Sequence, residues 1–232
     1  VMNPVWWTPE RCAEIKVEDP VAYQTDVLAE FADIAETLYS QALLTRCSRQ
    51  QLVIPFEKGC DYAAMMDPAT RSNAWTLVIA CRKGRKKRIV FNRQWQGSSL
   101  EPLSPKAVLM EVRDELKLYN LDWTFSDQWS ADAIRDIATD LGIDVILMEW
   151  TEKEKVNCYL SLAENMKADL VELPSDAQLH KDLKLTKKKP TNRGPSIQLA
   201  KTTDGRHCDY SPPTAGVMKR WFEEEQPDTP LP

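Results

Sequence analysis

The sequence predicts an α/β fold in which a mixed β-sheet is flanked by helices. Two observations support this. Three apolar segments between residues 62 and 95 follow one another with short connections, as in an antiparallel meander. Helical and strand-like segments then alternate up to residue 150, a pattern that adds strands to a sheet through helical crossovers.

The meander is predicted from three apolar segments. We expect strands at 62–67, 74–81 and 88–95, since each is short, apolar and bounded by turn-forming residues. Gly84 lies in the middle of a basic segment between the second and third strands. It predicts a hairpin turn there.

The alternating part begins with a helix at 105–119, because Ser104 and Pro105 are a typical helix start. A strand at 122–127, a helix at 131–141 that ends before Gly142, and a strand at 144–150 follow. Further predicted elements are helices at 152–167 and 176–185, a basic loop at 187–194, a short strand at 196–199 and a last helix at 211–224. This order of strands and helices is that of the RNase H-like fold.

The first fifty residues are predicted to be helical. Thr8 and Pro9 fit an N-cap and the first helical position, and a second helix is expected from Asp19 and Pro20 up to residue 46. We therefore divide the chain into a helical lead-in, 1–50, and an α/β domain, 51–232.

Charge is unevenly distributed along the chain. The net charge of −5 argues against a protein that coats DNA, yet residues 82–88 hold six basic residues in seven. We interpret this segment and the later lysine cluster as contacts to DNA phosphates. The alternative is a solvated turn, or a charged edge that prevents strands from aggregating. The predicted contacts are Arg82, Lys83, Arg85, Lys86, Lys87, Arg88, Lys187, Lys188 and Lys189.

Three aspartates lie where catalysis could occur. Asp67 ends the first predicted strand, Asp127 ends the fourth, and Asp209 precedes the last helix. If the first and fourth strands are neighbours, their ends converge, and the last helix can bring Asp209 beside them. Each residue also has a simpler interpretation, a turn former for Asp67 and a helix N-cap for the other two.

A carboxylate cluster would require divalent cations. Like charges within a few ångströms raise one another's pKa, and hard oxygen-binding cations relieve that repulsion. Two ions, Mg²⁺ or Mn²⁺, could hold a phosphate between them and activate water. Because the chain has two histidines, metal binding must depend mainly on carboxylates. His207 is as well explained by a structural hydrogen bond as by a place near the site.

Several protein classes are disfavoured. The sequence lacks the GxxxxGK[ST] ATPase loop and the GxSxG and HExxH motifs. It has no run of 18 apolar residues, so no membrane span is expected. No signal peptide is recognisable, and we expect free thiols in a reducing cytoplasm.

Four segments resemble the nuclease domain of phage terminase large subunits. Residues 3–26, with Trp7-Thr8-Pro9-Glu10, are similar to the segment that leads into that domain. Residues 64–78 are similar to its first hairpin, 126–132 to its fourth-strand motif and 206–209 to its C-terminal acidic motif. The resemblance covers nearly the whole chain, and the order and spacing of the motifs make it specific.

The resemblance implies a metal-dependent DNA endonuclease that cuts concatemeric phage DNA in the cytoplasm of the bacterial host. It implies Asp67, Asp127 and Asp209 as ligands of divalent ions. It also implies double-stranded DNA, an ATPase motor domain of the same protein, a small terminase subunit and a portal as partners. The family often has two adjacent acids after the histidine. Here the first is Cys208, so Asp209 is the only acid of that motif.

Two other functions remain open at this stage. A RuvC-like junction resolvase or a transposase/integrase would share the acidic cluster but prefer branched DNA or join strands. A non-catalytic DNA-packaging interaction module would keep the fold without cleaving DNA.

Overall fold

A computed structural model of the chain describes residues 8–18, 36–191, 194–201 and 207–222, without the side chains of 128–133 and 222. The described helices are α1 (Pro9–Glu18), α2 (Gln41–Cys47), α3 (Pro105–Leu118), α4 (Gln128–Asp140), α5 (Glu152–Lys167), α6 (Ala177–Lys184) and α7 (Ser211–Phe222). The strands are β1 (Glu36–Thr37), β2 (Ser48–Arg49), β3 (Asp61–Asp67), β4 (Ala74–Lys83), β5 (Lys86–Gln96), β6 (Trp123–Asp127), β7 (Asp144–Met148), β8 (Val171–Pro174), β9 (Thr186–Thr191) and β10 (Gly194–Leu199).

The central sheet has seven strands in the order β2-β8-β5-β4-β3-β6-β7. β3, β4 and β5 form the predicted antiparallel meander, and Gly84 at φ +61° makes the turn between β4 and β5. β6 joins β3 in parallel and β7 joins β6 in parallel, as helical crossovers require. The mixed sheet flanked by helices confirms the predicted fold class.

Four short strands were not predicted, and the first fifty residues hold two of them, β1 and β2. β1 interrupts the helix expected over 8–46, and residues 19–35 of that helix lie outside the described part. β8 lies between two helices and pairs in parallel with β5 and β2. β9 replaces the expected basic loop, because β1 and β10 satisfy its backbone groups on both sides.

The lead-in is not a separate segment up to residue 50. Tyr39 and Leu44 are fully buried in the core that α5 and α7 form. The Tyr39 hydroxyl donates a hydrogen bond to the Tyr159 carbonyl at 3.0 Å. The boundary predicted at residue 50 therefore divides one packed core, and residues 36–49 belong to the α/β domain.

Each face of the sheet has its own core. Ala63 and Met65 of β3 face α5 and α7, whereas Ala64 and Met66 face α3 and α4, as the alternation of side chains requires. α7 lies very close to β3 at Gly216. A Cβ atom at this position would overlap the end of the Met65 side chain, so a larger residue would require that side chain to move.

Candidate acidic site

The strand register places Asp67 and Asp127 next to each other. β3 and β6 are parallel, and Met65 of β3 is paired with Phe125 of β6. Each aspartate lies two residues beyond that pair, at the carboxyl end of its strand. Neighbouring strands lie about 4.8 Å apart, and residues two apart share a face. We infer that the two carboxylates leave the sheet side by side, on the face that α7 covers.

Asp209 is held against the same end of the sheet. The Ala74 N–H donates to Asp209 Oδ2 at 2.8 Å, and Thr76 Oγ1 donates to the Asp209 carbonyl at 2.9 Å. Thr76 is the cross-strand partner of Asp67. Asp209 is 3% exposed. Asp209 therefore lies in the turn before α7 and is bonded to β4, the strand that pairs with the end of β3 that carries Asp67.

The three carboxylates interact electrostatically. Burial raises the pKa of Asp67 well above its ordinary value, and the charges of Asp127 and Asp209 raise it further. The charged form of Asp67 is thus disfavoured by its surroundings. A cation bound among these groups would reverse that effect.

The donor chemistry of the site fits a divalent cation. Within the described residues, no three Asp, Glu, His or Cys side chains lie close enough to hold an ion in their present positions. The aspartates are instead within electrostatic range of one another, and all three offer the hard oxygens that Mg²⁺ and Mn²⁺ prefer. Side-chain adjustment on binding would be needed to complete a coordination shell.

Cys208 makes a hydrogen bond within its own part of the chain. Its side chain is fully buried, and its sulfur donates to the Ala200 carbonyl at 3.2 Å. A carboxylate in the same place would meet the Ala200 carbonyl oxygen, to which an ionised acid has no proton to donate. His207 is partly buried. Its role near the site stays a prediction.

The basic hairpin lies at the other end of the sheet. Asp61 is paired with Arg82, whereas Asp67 is paired with Thr76, six residues along β3. At 3.3 Å per residue, about 20 Å separate the two ends. The predicted DNA contacts of the hairpin are therefore distant from the acidic site.

Most basic side chains of the hairpin already have acceptors in the protein. Lys83 and Arg88 both bind Glu57. Lys86 Nζ lies 3.4 Å from Asp169 Oδ1. Arg85 is exposed at the turn. The hairpin is thus held largely by internal ion pairs.

The position of Lys87 contradicts its predicted contact with DNA. Its side chain is fully buried, and Nζ donates to Asn165 Oδ1 at 3.2 Å. A group enclosed between β5 and α5 does not reach a DNA phosphate, so the contact predicted for Lys87 is wrong.

The second lysine cluster lies nearer the acids. Lys187, Lys188 and Lys189 are partly buried and follow Thr186 in β9. Thr186 Oγ1 lies 2.7 Å from the hydroxyl of Ser211, two residues after Asp209. β9 therefore begins beside the acidic site.

Thr76 was missed by sequence reasoning. It is fully buried and holds the Asp209 backbone in place. The only signal in the sequence was a single hydroxyl within the apolar segment 74–81.

Comparison with known structures shows that the fold is similar to that of the nuclease domains of phage large terminases. The nuclease of the large terminase of thermophilic phage G20c superposes with a TM-score of 0.65 at 14% identity, over 79% of this chain and 98% of that one. The nuclease domain of Thermus phage P74-26 gives 0.63 at 16% identity, over 80% and 95%.

The large terminase of phage HK97 gives a TM-score of 0.68 at 14% identity, and the match covers 90% of this chain but 49% of that one. This chain thus spans about half the length of that terminase. Structures of the G20c nuclease also exist with bound magnesium and with bound cobalt. No family model and no curated protein matches the sequence. At these identities the similarity defines the fold.

Proposed function

We propose that this chain is the metal-dependent DNA endonuclease of a phage packaging terminase, and that it cuts concatemeric DNA. The observation that carries the proposal is the parallel β3–β6 register, which ends neighbouring strands in Asp67 and Asp127, with Asp209 bonded to Ala74 and within electrostatic range of Asp67. The similarity to terminase nucleases supports it, as does the metal bound in several of those structures.

Asp67 and Asp127 would hold the divalent ions, and Asp209 would complete the site from the turn before α7. Two ions, Mg²⁺ or Mn²⁺, would supply an activated water and neutralise the phosphate. Ala74 and Thr76 of β4 keep the Asp209 backbone in place, so that only its side chain would need to adjust when metal and DNA bind.

Lys187, Lys188 and Lys189 are proposed to contact the DNA backbone beside the acids. Phosphate contacts carry no direct sequence information, so cleavage would be largely independent of sequence. Arg82, Lys83, Arg85, Lys86 and Arg88 are weaker candidates because of their distance from the acids and their internal partners.

The partners follow from the same assignment. The match to half of the HK97 large terminase supports an ATPase motor domain in the same protein, connected through the segment before residue 36. Double-stranded DNA, a small terminase subunit and a portal would be the other partners, in the cytoplasm of the host. Within the described residues, no helix is both long and apolar enough to cross a membrane.

The test is cleavage of supercoiled plasmid with Mn²⁺, Mg²⁺ or EDTA, by the wild type and Asp67→Asn. We expect nicked and linear DNA with metal, none in EDTA, and none from the variant, which keeps the side-chain shape but loses the charge. Cleavage that persists in Asp67→Asn would contradict the assignment. A preference for four-way junctions over linear DNA would favour a RuvC-like resolvase instead, and strand joining would favour a transposase or integrase.

A further inference from the structure

We propose that Asp182 of α6 is a positioning residue for Asp209, an inference that rests on the proposed nuclease function. Asp182 is fully buried, although it lies outside the three acids that the register brings together. Its Oδ2 accepts a hydrogen bond from the Tyr210 N–H at 3.0 Å. Its Oδ1 accepts one from Gln178 Nε2 at 2.7 Å.

The bond to Tyr210 fixes the peptide unit that follows Asp209. The N–H of this peptide belongs to Tyr210 and is held by Asp182. Its C=O belongs to Asp209 and accepts from Thr76 Oγ1 at 2.9 Å. The two bonds hold opposite edges of one planar group, so the peptide cannot rotate without losing one of them. Since the Asp209 Cα atom is part of this plane, the same pair fixes the backbone position from which the Asp209 side chain extends.

The charge on Asp182 matters to this role. A buried carboxylate is unfavourable unless donors surround it, and Asp182 receives donors on both oxygens. Hydrogen bonds to an ionised acceptor are shorter and stronger than those between neutral groups. A neutral side chain at 182 would therefore leave the Asp209 peptide less firmly oriented.

α6 is joined to this turn a second time. Thr186 Oγ1 donates to the Asp182 carbonyl at 3.1 Å and lies 2.7 Å from Ser211 Oγ. The first residue of β9, Thr186, is thus hydrogen-bonded both to Asp182 and to the first residue of α7, Ser211. Asp182 links the acid that would bind metal to the strand that would bind DNA.

The test compares Asp182→Asn with Asp176→Ala. Asparagine has one acceptor oxygen for two donors. The variant therefore loses the hydrogen bond from the Tyr210 N–H or the one from Gln178 Nε2. We expect the Mn²⁺ concentration for half-maximal cleavage, and the Mn²⁺ dissociation constant by calorimetry, to rise about 10- to 100-fold. KM for DNA should be unchanged, and excess Mn²⁺ should restore part of kcat.

Asp176→Ala is the matched control. Asp176 caps the same helix by accepting a hydrogen bond from the Leu179 N–H at 2.7 Å, so this bond stays within the first turn of α6. This variant should lower Tm without changing either measure of Mn²⁺ binding. If Asp182→Asn fails to fold, Thr76→Val removes the other bond to the same peptide at nearly constant volume, and the same shift in Mn²⁺ affinity is expected.

The outcomes separate the two proposals. Mn²⁺ binding that is weakened in Asp182→Asn but not in Asp176→Ala supports the positioning role. A wild type that binds Mn²⁺ and cleaves DNA, with Asp182→Asn matching Asp176→Ala, overturns that role alone. A wild type that neither binds Mn²⁺ nor cleaves DNA overturns the nuclease assignment, and this inference with it.

Discussion

The two ends of the central sheet carry opposite charges. The acidic end brings like charges near one another, whereas the basic end pairs its charges with an acid of the protein. At one end, Asp67 and Asp127 finish β3 and β6, Asp209 is bonded to the start of β4, and burial and these two neighbours raise the pKa of Asp67. At the β4–β5 hairpin, Lys83 and Arg88 bind Glu57, whose pKa is lowered to about 2 by these hydrogen bonds.

The difference teaches which charges indicate a ligand. The hairpin has the densest run of charge in the sequence, but its partners are supplied by the protein itself. The aspartates are few and far apart in the sequence, yet they meet as like charges. A binding site is indicated by ionisable groups whose charged form the fold disfavours. A dense run of charged residues in the sequence is a poor guide to such a site.

The largest effect should come from Asp127. Asp127→Asn is expected to reduce plasmid cleavage with Mn²⁺ to the background of EDTA, since it removes one of the charges that would bind metal. Asp122→Asn is the control, because Asp122 lies just before the opposite end of the same strand and is exposed. Equal activity of both variants with the wild type would remove β6 from the site.

The next effect concerns DNA binding. Replacement of Lys187, Lys188 and Lys189 by alanine should weaken binding in EDTA and reduce the slope of log K against log salt by up to about 3, at roughly 0.9 per lost phosphate contact. Fluorescence anisotropy with a labelled duplex measures this slope.

The paired variant at the hairpin, Arg85→Ala with Lys86→Ala, should leave the salt slope unchanged. A reduced slope in this double variant, with none in the β9 variant, would show that DNA reaches the hairpin end instead.

A smaller effect is expected on stability without metal. A carboxyl whose folded pKa is raised stabilises the fold below its ordinary pKa, and this stability is lost as pH rises through the folded value. In EDTA at pH 7, Asp67→Asn should therefore melt a few degrees above the wild type. The two Tm values should converge near pH 3.8, the ordinary value for aspartate, and a gap that persists there would contradict this account.

The smallest effect has the opposite sign. The folded pKa of Glu57 is lowered from 4.5 to about 2, so its stabilising contribution is present above pH 4.5 and is lost as pH falls toward 2. Glu57→Gln should melt below the wild type at pH 7, with the gap closing in acid. Because Glu57 lies at the surface, the shift should be small, and 1 M salt should reduce it.

Much of the fold could be predicted from local patterns. The meander, the helix that begins at Pro105 and the parallel strands β6 and β7 follow from apolar periodicity and from caps. β1, β2, β8 and β9 could not be predicted in this way. Strands of two to six residues depend on partners far away in the sequence, and the Lys-rich β9 is a strand because β1 and β10 pair with it.

The site was predictable to a similar extent. That Asp67 and Asp127 end neighbouring strands followed from element order, and the register supports it. The internal partners of the hairpin could not be foreseen, because Lys87 meets Asn165 78 positions away in the sequence. Asp182 was missed for the same reason, since a buried acid in a helix looks like a solvated one until its donors are known.

The hydrogen bond from the Ala74 N–H to the Asp209 carboxylate joins residues that are 135 positions apart in the sequence. A ribosome therefore synthesises β3, β4 and β6 long before the acid that completes the site. Until the turn before α7 docks onto β4, the growing chain holds two of its three carboxylates and no closed centre. The order of synthesis alone therefore delays the assembly of the three-carboxylate site until the start of α7 has been made.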